Sequence, residues 1–348
     1  MHDPSLTDVG VIGAGSFGTA IANLLALNCN VWFYARKERD VTDINRHRHR
    51  HGTDLHERIK ATNDLEEVCD RCQLIYPIVP STAFRGLMQT MAEYLRPSHI
   101  LIHGTKGFDF SSTSEEEILA NGIKRKDIHT MSEVIRQETV VVRVGILSGP
   151  NLAKEILAGQ PTATVIASKF DEVIDRGQAS LASARFHVFG SHDLLGAELA
   201  GVLKNVIALG SGMLKGFGFG KNIQAMLITR GLTEMVHFGK AMGSEAQAFF
   251  GTAGIGDLIA TSTSKKSRNY TFGYRVGSGE ILEEVRRTSP ELAEGVRTLL
   301  ATRHLARYYK LRVPITEMLY RIVFENYPID KAMHYLMTYP YDVDVDFF

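Results

Sequence analysis

Four short segments carry side chains that could move a proton or hold an anion. Lys106 lies in Gly104-Thr105-Lys106-Gly107, directly after the apolar run Ile100-Leu101-Ile102-His103. Lys204 and Asn205 sit inside a long stretch of helical apolar spacing. Asp257 ends the glycine turn Gly254-Ile255-Gly256, and Arg268 stands between Ser267 and Asn269. An ammonium group can give a proton to a developing alkoxide and stabilise its charge. A guanidinium presents a planar fork of donors that suits a phosphate or carboxylate. Carbonyl reduction needs such a proton donor, a grip on the substrate and a source of hydride.

Gly13-Ala14-Gly15-Ser16-Phe17-Gly18 points to that source. The apolar run Val9-Gly10-Val11-Ile12 precedes it as a buried strand, and Thr19 to Leu27 follows with helical spacing. In this order the pattern is a dinucleotide fingerprint. Gly13 makes the tight turn, Gly15 admits a pyrophosphate to the backbone, and Gly18 lets helix and strand pack. The helix N-terminus offers N–H groups and a positive dipole end. About 20 residues on, where an acidic residue would bind a ribose 2′-hydroxyl, the chain reads Ala35-Arg36-Lys37, with Glu38 only later. Arg36 suits a 2′-phosphate. The expectation is NADP(H) or NAD(H), with NADP(H) favoured and Ser16, Phe17 and Arg36 near the cofactor.

These segments must be held by a scaffold. Strands are expected at 9–12, 31–34, 73–80, 100–103, 144–147 and 163–167, with helical segments between them. That alternation implies a mostly parallel, doubly wound α/β sheet. Pro77 is awkward inside a central strand. From Leu194 onward the spacing is helical, over 194–209, 223–242 and 293–309, with a glycine-rich link from Gly210 to Gly220. The expected organisation is a dinucleotide-binding Rossmann-type domain, 1–192, and an all-helical substrate domain, 193–348, with the ligand cleft between them. Ligands of doubly wound sheets bind at the carboxyl ends of the strands, where Lys106 follows its strand.

Composition narrows the partners. The 348 residues carry 39 Lys+Arg and 39 Asp+Glu, a formal net charge of zero, which does not suggest a nucleic-acid binder. No apolar run reaches the ~18 residues of a membrane span. The opening Met1-His2-Asp3-Pro4-Ser5 lacks signal-peptide features, so a cytoplasmic location is expected. Three cysteines make no disulfide framework, and Cys69-Asp70-Arg71-Cys72 has no second ligand pair, so no metal is expected. Arg46-His47-Arg48-His49-Arg50-His51 reads as an exposed loop. A homodimer is expected.

Together the motifs resemble the bacterial-type NAD(P)-dependent glycerol-3-phosphate dehydrogenases. The resemblance spans Val9 to about Leu336. It is carried by Gly13 to Ala20, Val79-Pro80-Ser81, Thr105-Lys106-Gly107, Ser148-Gly149-Pro150, Leu203-Lys204-Asn205-Val206, Gly254 to Leu258, Ser267-Arg268-Asn269 and Ala293-Glu294-Gly295. It implies interconversion of dihydroxyacetone phosphate and sn-glycerol 3-phosphate, for phospholipid synthesis. Lys204 then matches the catalytic lysine at the C2 oxygen, and Lys106 a lysine touching substrate and cofactor. Asp257 matches a cleft carboxylate near substrate and lysine. Ser267, Arg268 and Asn269 match the substrate-phosphate side, with Arg268 also near the cofactor. Gly149, Asn151 and Ala153 match a loop touching both ligands, and Leu292 and Glu294 positions near the cofactor.

A lysine with an ordinary pKa of ~10.4 is a poor base at neutral pH. Desolvation with Lys106 nearby would lower Lys204 toward useful range, and Asp257 would limit the shift. Asn151 departs from the usual Thr or Ser, and Tyr76-Pro77 from plain apolar residues. Asn269-Tyr270-Thr271 also fits a glycosylation sequon, discounted in a cytoplasmic chain. Two alternatives share the cofactor domain. One is a β-hydroxyacid or ketopantoate-type reductase, disfavoured by Ser267-Arg268-Asn269 with Gly254 to Leu258. The other is a non-catalytic nucleotide-binding protein, disfavoured by the two lysines.

Overall fold

The computed structural model describes residues 6–110, 112–289, 293–340 and 343. Two compact units emerge: Met1–Asp109 with Thr130–Leu194, and Phe110–His129 with Leu195–Phe348. The expected break after 192 therefore misses an excursion. Residues 110–129 leave the first unit and join the second through side-chain contacts. The Arg125 Nε donates to Tyr309 Oη at 3.2 Å, the Arg286 guanidinium lies 3.6 Å from Glu115, and Arg297 stacks on the Phe110 ring at 3.9 Å. Each contact spans well over 150 residues, beyond any local pattern.

The first unit is an eight-stranded sheet: β1 Asp8–Ile12, β2 Asn30–Tyr34, β3 Ile59–Thr62, β4 Leu74–Pro77, β5 Ile100–His103, β6 Arg143–Ser148, β7 Thr162–Ser168 and β8 Phe186–Ser191. Its order is β8-β7-β6-β5-β4-β1-β2-β3, and only β6 and β7 pair antiparallel. Central strands are buried on both faces and so read as continuous apolar runs. One core cluster packs the helices Ser16–Leu25 and Asp171–Leu181 through Ile21, Leu25, Val173 and Leu181. The other packs Ser81–Met91 and Met131–Glu138 through Phe84, Met88, Val134 and Ile135. The sheet is thus doubly wound. Its order reverses between β1 and β4, the position where such sheets bind ligands.

Strands β3 and β8 were not legible because both are edges. The β8 residues His187, Phe189 and Gly190 are exposed, so the segment lacks a core strand's apolar run. Pro77 is tolerated because it closes β4, where its missing N–H costs least. Its carbonyl still accepts from the Gly104 N–H at 3.1 Å.

The second unit is helical. The helix Leu194–Gly216 continues through most of the expected glycine link and crosses the helix Arg268–Gly277. A Cβ on Gly212 would lie 2.0 Å from the Tyr270 carbonyl oxygen, and one on Gly273 2.0 Å from that of Leu209. Gly212 and Gly216 therefore mark close backbone contact between helices, and the link itself is confined to residues 217–220. The helix Leu194–Gly216 is also long and apolar enough to cross a membrane by length and composition, contrary to the expectation, but 94% of its apolar window is buried in the protein. Such burial marks a core helix.

Glu234, fully buried on the helix Lys221–Met242, caps the helix Pro314–Glu325. Its carboxylate accepts from the Ile315 N–H at 2.6 Å, the Thr316 N–H at 3.0 Å and the Thr316 hydroxyl at 2.7 Å. Burial nevertheless pushes the carboxyl up from 4.5 to about 7. Between those values the native state holds more protons than the unfolded chain, so stability falls as pH rises through the window. Relative to Glu234→Gln, the wild type should lose up to roughly 3 kcal/mol of unfolding free energy from below pH 4.5 to above pH 7. Urea titrations of both proteins across this range read the difference. A flat difference would show that the three donors keep the carboxylate ionised.

Candidate active site

The glycine loop follows β1. Gly13 has φ +121°, a conformation favouring glycine, and a Cβ there would lie 2.2 Å from the Ile78 carbonyl oxygen. A Cβ on Gly18 would lie 1.8 Å from the Gly13 carbonyl oxygen. Packing therefore demands both residues. Gly15 differs: it is exposed, and nothing lies within 4 Å of where its Cβ would be. The protein's own packing does not require glycine there, whereas close approach of a pyrophosphate does. Gly15 also precedes the helix Ser16–Leu25 with no side-chain cap and no acidic residue in the first turn. The bare N–H groups and positive helix end fit an anion.

Ser16 and Phe17 open this helix, and a Cβ on Gly104 would lie 3.0 Å from the Phe17 ring. The bare Gly104 thus brings the Lys106 turn beside Phe17. The Thr105 hydroxyl donates to the Val79 carbonyl at 2.7 Å, which fixes this turn against Val79-Pro80-Ser81. Lys106 Nζ donates to the Gly149 carbonyl at 2.9 Å, so the structure joins these two predicted residues. Gly149 has φ +154°, with the Thr164 Cα only 3.1 Å from where its Cβ would stand.

The Asn151 side chain turns onto β7. Its Oδ1 accepts from the Thr164 hydroxyl at 2.9 Å, and its Nδ2 donates to the Ala163 carbonyl at 3.3 Å. It holds the Gly149 turn in place. Ala153 starts the helix Ala153–Leu157 and packs on the same core cluster as Ala14 and Phe17. Arg36 is exposed two residues beyond β2.

In the second unit, Lys204 is 6% exposed on the helix Leu194–Gly216. A buried ammonium needs partners. Its Nζ donates to Asp257 Oδ1 at 2.5 Å and to Thr261 Oγ1 at 2.6 Å, and the Thr261 hydroxyl lies 3.1 Å from the same carboxylate oxygen. Asp257 and Thr261 share one face of the helix Asp257–Thr263 by their four-residue spacing. Thr252–Gly256 forms a wider turn into this helix, closed by the Gly256 N–H on the Gly251 carbonyl at 3.3 Å. Thr261 escaped sequence reasoning, although i+4 from an acidic residue is a readable signal.

Asn205 also belongs to the arrangement. Its Oδ1 accepts from Asn269 Nδ2 at 2.8 Å, and Asn269 Oδ1 accepts from the Gly295 N–H at 2.9 Å. Asn269 is thereby tied to Lys204's neighbour. The Ser267 hydroxyl caps the helix Arg268–Gly277, accepting from the Tyr270 N–H at 3.3 Å. Arg268 stands exposed at the start of that helix, and Glu294 is partly buried at the start of Glu294–Tyr308. Leu292 lies outside the described residues. Cys69 and Cys72 are buried free thiols. Burial pushes Cys69 up to about 12 and Cys72 up as well, so neither is a ready thiolate.

Residues 8–174 match the model of the NAD-dependent glycerol-3-phosphate dehydrogenase N-terminus, and residues 193–334 that of its C-terminus. The chain belongs to the NAD-dependent glycerol-3-phosphate dehydrogenase family. Within that family it is 38% identical to a glycerol-3-phosphate dehydrogenase [NAD(P)+] of Pseudomonas putida, over 97% of this chain and 96% of that one. A glycerol-3-phosphate dehydrogenase from Coxiella burnetii, solved by crystallography, superposes with TM-score 0.85 at 30% identity, covering 96% of this chain and 100% of that one. A ketopantoate reductase from Ralstonia eutropha gives TM-score 0.53 at 16% identity, over 94% of this chain and 100% of that one, and shares the fold alone. In this dehydrogenase-family chain the lysine–aspartate pair and the glycine loop stand in the motifs that carried the resemblance.

Proposed function

We propose that this chain is an oxidoreductase interconverting dihydroxyacetone phosphate and sn-glycerol 3-phosphate with NAD(P)H, and so supplies glycerol 3-phosphate for phospholipid synthesis. The observation that supports the reading most is the buried pair of Lys204 and Asp257, 2.5 Å apart, in a member of this family. A charged pair removed from water is hard to account for by stability, since apolar residues of similar volume would serve as well.

The nicotinamide, when bound, supplies or accepts the hydride. Gly13, Gly15, Ser16, Phe17 and Gly18 would hold the dinucleotide, with Arg36 toward a 2′-phosphate and Lys106, Ala153, Arg268 and Glu294 nearby. Lys204 holds the proton that passes to the C2 oxygen on reduction, and its charge stabilises the developing alkoxide. Asp257 and Thr261 orient its ammonium. Ser267, Arg268 and Asn269 grip the substrate phosphate, with Ser267 acting through the helix end it caps. Binding energy at that remote phosphate aligns C2 for transfer. Lys106 and Gly149 contact substrate, and Asn151 positions Gly149. The reading adds NADP(H) preference, a cytoplasmic location and a homodimer as expectations.

The test is kcat/KM for dihydroxyacetone phosphate with NADPH and with NADH, against a 2-keto acid. Turnover of dihydroxyacetone phosphate at least about a hundredfold better than of ketopantoate is expected, since only one of the two carries a phosphate for Arg268. The reverse ranking would establish the reductase alternative.

A further inference from the structure

The basic run 46–51 takes no part in the chemistry above, yet it touches the glycine loop. It ends the helix Glu38–His47, turns through Arg48 at φ 52°, and enters a small hairpin of His49–Arg50 with Thr53–Asp54. From the hairpin, His51 Nε2 donates to the Ala14 carbonyl at 3.0 Å. Arg50 Nε donates to the same oxygen at 3.4 Å, and its terminal nitrogen lies 3.4 Å from Asp40. Ala14 sits between Gly13 and Gly15. The Gly13 N–H donates to the carbonyl of Tyr34, which ends β2 two residues before Arg36. One turn of backbone is therefore flanked by the strand end bearing Arg36 and by the hairpin bearing Arg50.

We propose that Arg50 is a second anion-binding residue of the dinucleotide site, contacting the 2′-phosphate of NADP(H) together with Arg36, while His51 positions the loop through Ala14. This rests on the NADP(H) reading above. Arg50 is held only lightly. Its bond to Ala14 is long, and a partly exposed ion pair such as that with Asp40 is worth ~0–1 kcal/mol. A phosphate dianion offers a guanidinium two shorter, charge-assisted bonds. Arg50 also offsets Asp40, whose carboxylate would otherwise repel a 2′-phosphate and suit a ribose hydroxyl instead. Both effects of losing Arg50 act against NADPH.

Calorimetric titration of the apoprotein with NADPH and with NADH tests this on the wild type, Arg36→Ala, Arg50→Gln and Arg50→Lys. Arg50→Gln should raise the NADPH Kd about tenfold or more and leave the NADH Kd within about twofold, which also certifies its fold. Arg50→Lys, which keeps the charge without the fork, should fall between. Equal weakening of both cofactors would make Arg50 a brace only and overturn the proposal, as would unchanged NADPH binding. If Arg36→Ala abolishes a wild-type preference for NADPH while Arg50→Gln leaves NADPH binding unchanged, this inference fails and the NADP(H) reading stands. A wild type without that preference overturns the NADP(H) reading, and a selective loss in Arg50→Gln would even then uphold Arg50.

Discussion

Replacing Lys204 with alanine should lower kcat for dihydroxyacetone phosphate by about 10³–10⁴-fold and leave the NAD(P)H Kd within about twofold. The magnitude follows from two losses at one atom: the proton donor, and the charge that meets the developing alkoxide. Water entering the vacated space can replace the first only poorly and the second hardly at all. The cofactor is expected to be unaffected, because the glycine loop and Lys204 belong to different units of the chain. Stopped-flow measurement of hydride transfer and a binding titration on the same preparation separate the effects. Activity within tenfold of wild type would remove Lys204 from the chemistry. Lys204→Met keeps most of the side-chain volume without the charge, and an equal loss there would exclude a packing explanation.

Asp257→Asn should lower kcat by about a hundredfold and destabilise the protein by about 3–5 kcal/mol, because it leaves a buried ammonium without its counter-charge. Without the carboxylate the ammonium loses its proton more readily, so the high-pH fall-off of dihydroxyacetone phosphate reduction should move to lower pH. The double variant Lys204→Met with Asp257→Leu should recover much of the stability and none of the activity, since replacing both members of a buried pair by apolar groups is far milder than removing one. Recovery of stability with activity retained would make the pair structural. An unchanged pH profile in Asp257→Asn would show that Asp257 does not control the proton on Lys204.

How much was legible in the chain varied with the range of the cause. The strands β1, β2 and β5 are doubly buried apolar runs, and the glycine spacing between β1 and its helix is a local pattern, although the contact that demands Gly13 comes from Ile78. Both could be read directly. The edge strand β8 could not, because one-sided burial leaves a weak pattern, nor could β3, which has only four residues with the exposed Lys60 among them. Gly210 to Gly220 looked like a linker because glycine is ambiguous. Only the crossing helix Arg268–Gly277 shows that Gly212 and Gly216 are there for close packing. The excursion of residues 110–129 rests on partners such as Tyr309 and Arg297, far along the chain.

The site divides in the same way. Residue type and local spacing by themselves determined the glycine loop, the candidate lysines, Asp257 and the Ser267-Arg268-Asn269 segment, since each is a short segment whose chemistry is carried by its own side chains or, in the glycine loop, by its backbone N–H groups. Tertiary structure alone decided which groups meet. It placed Thr261 and Asp257 on Lys204, tied Asn269 to Asn205, bound Lys106 to Gly149, and brought Arg50 and His51 to Ala14. The physical reason is that hydrogen bonds and ion pairs depend on distances of a few ångströms, and between residues dozens of positions apart those distances are set by packing, to which local pattern is blind.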